Sequence, residues 1–300
     1  MHTALFVLAL IVDLAACAFG LDNSTNNSTT DTIAASVETD QSAVAQWQVT
    51  FEDHFDHLDL TKWQVYHECS THHDCIHNDE KQVYLRDQVY VDNGHLVLEA
   101  SNVSHYSPAS GERHFRSAKL DTATSFSQRF GKFEARIRLP RGAGMWPAFW
   151  LMPKGGQCWP MDGEIDIVEY VGQTPQTIYA CNANRHYDPD VCGPTGGARS
   201  DGSLSDDFHV YSVVWTPSSI AWYMDGQEFY RLPPTRGCRR PSSLFLPSKP
   251  FYLILNFAVG GTWPGEPTAA TTFPQRMVVD YVKVFQRKHV PSQMPILLHT

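Results

Sequence analysis

The sequence predicts an all-β fold in which two antiparallel sheets pack face to face as a sandwich. Many short stretches alternate between apolar and polar residues, and Gly, Pro, Asn and Asp separate them, which is the pattern of strands and turns. No window repeats apolar residues at the spacing of a long amphipathic helix. The chain of 300 residues is 42% hydrophobic and 12% aromatic, which suits a single all-β domain of about 200–250 residues.

The predicted strands begin after Trp47 and continue almost to the end of the chain. In the first half, the segments 96–100 and 133–139 place apolar residues at alternate positions. Five segments of the second half also have strand composition: 210–215, 220–224, 228–232, 251–257 and 278–285. The pair Asp225-Gly226 predicts a tight hairpin turn. Because no internal repeat appears, we expect one folded domain over residues 47–288.

Residues 1–20 have the composition of a secretory signal peptide. An apolar run at 5–12 is followed by Ala-Cys-Ala at 16–18, which is a small-residue cleavage site. A membrane anchor is the less favoured alternative, because the run is too short to cross a bilayer. We therefore expect a secreted, extracellular protein.

Two further segments are predicted to lie outside the folded domain. Residues 21–46 are rich in Ser, Thr, Asn and Asp and contain too few apolar residues to form a core, so they predict a disordered linker. Sequons for N-glycosylation begin at Asn23, Asn26 and Asn27 in this linker, and another begins at Asn102. The C-terminal tail, 289–300, shows no strand alternation.

The charge of the chain argues against two classes of partner. The sequence contains 23 basic and 32 acidic residues, a net charge of −9 with neutral His, and no basic run. Nucleic acids and anionic membranes attract proteins with basic patches, so we expect neither as a partner. A neutral polysaccharide is compatible with this charge, although acidity alone does not indicate one.

Six cysteines remain after removal of the signal peptide: Cys69, Cys75, Cys158, Cys181, Cys192 and Cys238. An even number in a secreted chain predicts three disulfides, for which fifteen pairings exist. Short local loops favour Cys69–Cys75 and Cys181–Cys192, which leaves Cys158 with Cys238. The His-rich segment 67–77 also suggests zinc, but its C-x5-C spacing is wider than that of zinc sites, so we favour the disulfide.

The stretch WPMDGEIDIVEY, at 159–170, concentrates acidic residues on one predicted strand. Glu164, Asp166 and Glu169 lie among Ile and Val, and Asp-Gly at 162–163 predicts a turn before the strand. Because side chains alternate with period two, Glu164 and Asp166 share a face and Glu169 points to the other. One extra residue, a β-bulge around 167–168, would return Glu169 to the face of the other two.

Three carboxyl groups on one face have a specific chemical use. A retaining glycosidase needs two carboxyl groups roughly 5–5.5 Å apart, one as the nucleophile and one as the acid and then the base. A shorter Asp between two Glu can hydrogen-bond to one of them and adjust how readily each holds a proton. The alternative is a solvated strand face that carries three acids, and the motif alone leaves both interpretations open.

GEIDIVE is one of a series of segments that occur in a characteristic order. The others are FEDHFD (51–56), NDEKQVY (78–84), GHLVLEA (94–100), FGKFEARIRLPRGAGMWPAFWLMP (130–153), FHVYSVVWTPSSIAWYMDG (208–226), LNFAVGGTWPG (255–265) and VVDYVKVF (278–285). Together they resemble family 16 of the glycoside hydrolases, specifically its laminarinase-like endo-β-1,3-glucanase branch. The family signature is Glu-x-Asp-x-x-Glu, and the resemblance extends from about residue 47 to residue 287.

The resemblance implies a fold, a reaction and the residues that carry it. The fold is a concanavalin A-like β-jelly roll, a sandwich of two curved antiparallel sheets with a concave substrate cleft. The reaction is hydrolysis of laminarin-type β-1,3-glucan, or of mixed β-1,3/1,4-glucan, with Glu164 as nucleophile and Glu169 as acid and base. Asp166 holds and tunes this pair. No cofactor is required for catalysis, and we expect a monomer whose partner is the β-glucan.

The resemblance also assigns substrate-binding residues to the cleft: Asn78, Glu80, Arg116, Trp146, Trp150, Trp159, His186 and Trp263. Sugar rings stack on aromatic platforms and are oriented by a few polar groups. Trp146 and Trp150 would share a strand face with the small Ala148 between them. Any single Trp more often packs in a core and a lone His is more often structural. Trp215 and Trp222, in alternating strands, are predicted core residues.

The resemblance further implies a structural calcium ion on the convex face, bound by Asp280 and the backbone of Gly94. Oxygen ligands suit calcium. His54 stands where the family usually has Glu, which makes the resemblance weaker at this end of the chain.

Two other functions are known for this fold. Non-catalytic β-glucan recognition proteins have lost the catalytic carboxylates, whereas all three are present here. Cell-wall transglycosylases share the covalent intermediate but usually lack the bulge residue, so GEIDIVE counts against them. The sequence leaves the linkage preference of the enzyme open.

Overall fold

The computed structural model describes residues 46–68, 76–156, 159, 162–183, 200–232 and 246–288. These residues form eighteen β-strands and one short 3-10 helix, Arg86–Gln88. None of the helical structure in these ranges is long and apolar enough to cross a membrane. The predicted signal peptide, the C-terminal tail, His186 and all of the predicted linker except residue 46 lie outside these ranges, and so does at least one cysteine of each predicted disulfide.

The larger of the two main sheets contains eight strands and is built around its longest strand, β18 (Gln275–Arg287). On one side β18 pairs with β10 (Gly131–Arg138); on the other it pairs first with β5 (His95–Ala100) and then with β1 (Trp47–Asp53). The remaining strands extend the sheet in both directions: β4 (Val89–Asp92) beyond β5, and β14 (His209–Trp215), β15 (Ile220–Met224) and β16 (Gln227–Leu232) beyond β10. All these pairs are antiparallel.

The smaller main sheet contains six antiparallel strands. Its order across the sheet is β13 (Ile178–Ala183), β12 (Glu164–Tyr170), β11 (Met145–Pro153), β17 (Phe251–Val259), β9 (Lys119–Asp121) and β2 (Gln64–Val65). Two small sheets complete the described strands: β3 (Gln82–Tyr84) lies parallel to β8 (Phe115–Ser117), and β6 (His105–Ser107) forms a hairpin with β7 (Gly111–Arg113).

The two main sheets enclose one apolar core. Alternate residues of each strand point into it, so Phe149 and Leu151 of β11 and Phe133 of β10 are fully buried. Trp215 and Trp222 belong to this core, which confirms the prediction for both. The intervening residues of the six-stranded sheet point to a cleft, and we call this side the cleft face. The opposite side of the molecule, the outward side of the eight-stranded sheet, is the outer face.

The predicted strands after Trp47 are found within a few residues of their expected positions, and the predicted all-β jelly-roll sandwich is confirmed. Asp225 and Gly226 both have positive φ, 49° and 80°. That backbone shape is the one that a two-residue hairpin turn between right-twisted strands requires. The turn therefore lies between β15 and β16, as the sequence predicts.

Candidate active site

A β-bulge in β12 places its three acidic residues on the cleft face. Against β11, Ala148 pairs with Glu169 and Phe149 with Val168, but the next residue, Trp150, pairs with Asp166. Ile167 is therefore the extra residue, and the register against β13 shifts at the same place. Ile167 and Val168 are both buried. The predicted bulge is confirmed, and Glu169 consequently faces the same way as Glu164 and Asp166.

The bulge is supported from the opposite sheet. The indole Nε1–H of Trp222, a buried core residue on β15, donates a hydrogen bond of 2.7 Å to the backbone carbonyl of Asp166. A bulge locally disrupts the ladder of backbone hydrogen bonds, and a buried carbonyl without a donor is costly. Trp222 therefore satisfies the backbone at the residue where the strand departs from regular geometry.

The three carboxyl groups line a single cleft of about 420 Å³. Asp166 is buried, whereas Glu164 and Glu169 remain partly exposed to the cleft. Burial, followed by the negative charge of Glu164, raises the pKa of Glu169 to about 7. Burial and the charges of both glutamates raise the pKa of Asp166 well above its usual value. At neutral pH the site can therefore hold a carboxylic acid as well as a carboxylate.

Glu164 receives more stabilisation of its anionic form than Glu169 does. Burial raises its pKa, but a hydrogen bond of 2.6 Å from Trp159 Nε1, a hydrogen bond with Asp166 and the charge of Lys119 all act in the opposite direction. Among the described residues, Glu169 accepts a hydrogen bond of 3.1 Å from Trp146 Nε1. The two glutamates are thus chemically different, with Glu164 the better placed to carry a negative charge.

Aromatic side chains lie on the floor of the cleft and beside it. Trp146 and Trp150 lie on its floor with Ala148 between them, as the alternation on β11 predicts. Trp263 packs edge-on against Trp146, with ring centroids 5.4 Å apart, and Tyr179 packs against Trp263 at 4.9 Å. Trp159 is 55% exposed and Trp263 is 38% exposed. Exposed rings beside a cleft are suited to stacking against sugar rings.

Asn78 and Glu80 line the same cleft. Burial raises the pKa of Glu80 to about 7, although its carboxylate accepts a hydrogen bond of 2.6 Å from Gln82 Nε2. Asn78 has a positive φ of 51°, and its carbonyl accepts a hydrogen bond from the backbone of Thr262, in the loop that carries Trp263. The loop that carries these two predicted cleft residues is therefore hydrogen-bonded to the loop of Trp263.

Arg116 does not line the cleft. Its Nη2 donates to the carbonyl of Ser104, at 3.1 Å, in the segment before β6. The basic residue that lines the cleft is Lys119, three positions further along the chain. Sequence reasoning did not find Lys119, nor did it single out Tyr84 and Asn256, which are also cleft residues. Trp150 Nε1 donates to Asn256 Oδ1 at 2.8 Å, and Asn256 Nδ2 contacts the Tyr84 hydroxyl at 3.1 Å.

The surroundings of Asp280 do not fit a calcium ion. Its carboxylate forms an ion pair of 2.6 Å with Arg136 and lies 3.8 Å from His95 Nε2. Calcium requires several oxygen ligands, but the side chains that meet this carboxylate are basic. Among the described residues no group of three or more His, Cys, Asp or Glu is arranged to hold a metal.

Comparison with known proteins gives a consistent result. Residues 76–283 match the model of "Glycosyl hydrolases family 16". A beta-glucanase from Rhodothermus marinus is 35% identical over 254 residues, which cover 80% of this chain and 85% of the relative. A glucan endo-1,3-beta-glucosidase from Cryptopygus antarcticus is 32% identical over 257 residues, covering 79% of this chain and 91% of the relative.

A solved structure is similar to this chain in both sequence and fold. The laminarinase catalytic domain from Thermotoga maritima MSB8 superposes with a TM-score of 0.75 and is 33% identical in sequence. The alignment covers 81% of this chain and 99% of that domain.

Proposed function

The chain belongs to family 16 of the glycosyl hydrolases, and we propose that it is a retaining endo-glycosidase that hydrolyses β-1,3-glucan. The observation that carries the proposal is the bulged strand β12, which turns Glu164, Asp166 and Glu169 into one cleft. Its relatives include a beta-glucanase and a glucan endo-1,3-beta-glucosidase. The acidic site and the aromatic side chains of the cleft suit an uncharged polysaccharide.

In the first step the carboxylate of Glu164 attacks the anomeric carbon and forms a glycosyl-enzyme ester. Glu169, protonated at the start, donates its proton to the departing glycosidic oxygen. In the second step Glu169, now a carboxylate, removes a proton from water, whose oxygen attacks the anomeric carbon and releases Glu164. Each displacement inverts the anomeric carbon, so the product retains the β-configuration. These two carboxyl groups complete the reaction without a cofactor.

The neighbouring side chains support these different roles. Trp159 Nε1 donates a hydrogen bond of 2.6 Å to Glu164 Oε2. This bond favours the carboxylate form of Glu164, which must attack the anomeric carbon. The buried surroundings of Glu169 favour its neutral form, with a pKa of about 7, which suits a group that must first donate a proton. Asp166 hydrogen-bonds to Glu164 and separates the two glutamates along the strand.

The proposal extends to where and how the protein works. Residues 1–20 support secretion, and an extracellular enzyme would meet glucan chains without crossing a membrane. We propose that it acts as a monomer, because the three acidic residues and the aromatic side chains of the cleft come from one chain.

The test is release of reducing ends from three glucans in parallel: laminarin, barley mixed-linkage glucan and carboxymethyl cellulose. We expect the parent protein to release reducing ends from laminarin and the Glu169→Gln variant to release none. Release from barley glucan, or its absence, shows whether the enzyme also accepts mixed β-1,3/1,4 linkages. Binding of laminarin without release would instead indicate a recognition protein. Product analysis with an added acceptor oligosaccharide distinguishes hydrolysis from transglycosylation, because transfer yields products longer than the substrate.

A further inference from the structure

The segment NDEKQVY, at 78–84, supplies more to the cleft than Asn78 and Glu80. Glu80, Gln82 and Tyr84 alternate along this segment, and all three are buried. Gln82 Nε2 and the Tyr84 hydroxyl both contact Glu80 Oε2, at 2.6 Å and 3.4 Å, so the three side chains share one side of the chain, as alternation predicts. Tyr84 also lines the cleft, although the proposed reaction does not use it.

The hydrogen bonds that lead from Trp150 to Glu80 can run in only one direction. An indole N–H can donate but not accept, so the amide oxygen of Asn256 faces Trp150 Nε1, at 2.8 Å. The amide nitrogen of Asn256 therefore faces the Tyr84 hydroxyl and donates to it, at 3.1 Å. Because the hydroxyl oxygen accepts this bond, its own hydrogen is left to point at Glu80 Oε2.

A second chain of hydrogen bonds fixes the same oxygen of Glu80 from another side. The backbone N–H of Val259 donates to Gln82 Oε1 at 2.8 Å, so the amide nitrogen of Gln82 faces Glu80 Oε2. A backbone N–H cannot accept, and this direction is therefore fixed as well. Glu80 Oε2 accepts from both sides whether or not the carboxyl group carries a proton, because a proton would reside on Oε1.

We propose that Tyr84 is a positioning residue that couples the orientation of the Trp150 ring to that of the Glu80 carboxyl group. Trp150 lies on the floor of the cleft and Glu80 in the segment before β3. Among the described residues, Tyr84 and Asn256 link the two by hydrogen bonds. A sugar ring that stacks on Trp150 would thus meet a carboxyl group already held in place, and such preorganisation lowers the cost of binding. The inference rests on the proposed function, which makes Trp150 and Glu80 contacts of the glucan.

The test begins with Tyr84→Phe, which removes the hydroxyl and keeps the ring. We expect KM for laminari-oligosaccharides to rise about fivefold, as for the loss of one hydrogen bond. Glu164 and Glu169 keep their own hydrogen bonds, so kcat should change by less than about twofold. The matched control is Tyr90→Phe on the outer face, which removes a hydroxyl that donates to Glu99 Oε2 at 2.7 Å. This control should leave both constants unchanged.

A second measurement needs no substrate. In protein labelled with 15N-tryptophan, the indole N–H signal of Trp150 is identified by its absence from Trp150→Phe. Loss of the Tyr84 hydroxyl removes the acceptor of the Asn256 amide, to which Trp150 donates. We therefore expect this signal to shift in Tyr84→Phe and to stay in place in Tyr90→Phe. If Tyr84→Phe does not fold, Asn256→Leu breaks the same chain at its next link and should raise KM in the same way.

Three outcomes would overturn the proposal. The first is a Trp150 signal that stays in place in Tyr84→Phe, and the second is a KM equal to that of Tyr90→Phe. The third is a fall in kcat at constant KM, because Tyr84 would then act on the reacting groups. If the parent protein released no reducing ends from any glucan, the proposed function would fail, whereas the NMR comparison would still show whether Tyr84 holds Trp150.

Discussion

The cleft face and the outer face both carry many charged residues, but they arrange them differently. On the outer face opposite charges meet: Arg136 pairs with Asp280 at 2.6 Å and Arg276 pairs with Glu99 at 2.8 Å. On the cleft face like charges meet, because one strand presents Glu164, Asp166 and Glu169 within six residues. The first arrangement favours solubility and slightly favours folding. The like charges on the cleft face oppose ionisation of these carboxyl groups, which keeps a proton available, as an acid catalyst requires.

Both faces contain a bulge at these residues. In β18, Asp280 is the extra residue between the partners of Arg136 and Ile137. The bulge in β12 interrupts two registers, and Trp222 compensates by a hydrogen bond through the core. Because the proposed catalytic carboxyl groups lie on the cleft face, substitutions there should change activity more than stability. Substitutions on the outer face should change stability a little and activity hardly at all.

The largest effect is expected for Glu164→Gln. The amide cannot attack the anomeric carbon, so kcat on laminarin should fall by about 10³-fold or more, while the unfolding midpoint stays close to that of the parent. The matched control is Glu99→Gln on the outer face, which removes a partly buried carboxylate that pairs with Arg276. This control should keep nearly full activity. Comparable losses of kcat in the two variants would contradict the expectation that activity depends on the cleft face and not on the outer face.

The next effect is the pH dependence of the parent enzyme. Burial and the charge of Glu164 raise the pKa of Glu169 to about 7, and in the proposed mechanism this group must be protonated to begin the reaction. The activity that depends on it is present below that pKa and is lost as the pH rises through it. We expect kcat/KM to fall by about tenfold per pH unit above roughly pH 7. A flat profile up to pH 9 would show that Glu169 is not the acid.

A smaller effect is expected at the bulge support. Trp222→Phe removes the donor to the Asp166 carbonyl and should lower the free energy of unfolding by about 1–3 kcal/mol, with a several-fold loss of kcat. Trp215→Phe is a matched control, because Trp215 is equally buried but its Nε1 has no hydrogen-bond partner among the described residues. Equal changes of kcat in the two variants would mean that packing alone, without this hydrogen bond, supports the bulge.

The smallest effect is expected at Asp280. Exposed ion pairs contribute about 0–1 kcal/mol, so Asp280→Asn should lower the free energy of unfolding by less than about 1 kcal/mol and leave kcat unchanged. Because the carboxylate already pairs with Arg136, a chelator should not lower the melting temperature of the parent. A marked loss of stability on chelation would instead support the calcium site that the resemblance implies.

Much of the site could be predicted from sequence because its signals are local. The acidic motif, its bulge and the alternation of Trp146 and Trp150 all lie within single strands. Trp215 and Trp222 also follow a simple alternation into the core. For the tryptophans the period of a strand decides which way a side chain points, and neighbours in sequence are enough to establish it. The bulge breaks that period and returns Glu169 to the cleft face, but it too lies within the motif.

Lys119 shows why other parts of the site could not be predicted. In the sequence Ser-Ala-Lys-Leu-Asp it looks like a solvated residue on an ordinary strand. Its place in the cleft depends on Ala148 and Asn256, which come from strands far away in sequence. The family resemblance assigned Arg116 to the cleft instead, but Arg116 belongs to β8 and its guanidinium donates a hydrogen bond to the Ser104 carbonyl. To assign such residues to the cleft, one must know which distant strands pair.

The anomeric configuration of the first product directly tests the proposed double displacement at Glu164 and Glu169. Proton NMR of laminarin during early hydrolysis distinguishes the α- and β-anomers before they equilibrate. If Glu164 forms a covalent intermediate and Glu169 activates water on the same face, the β-anomer appears first and the α-anomer grows in later by mutarotation. Initial appearance of the α-anomer would show a single inverting displacement. That result would contradict the roles assigned to the two glutamates on the cleft face.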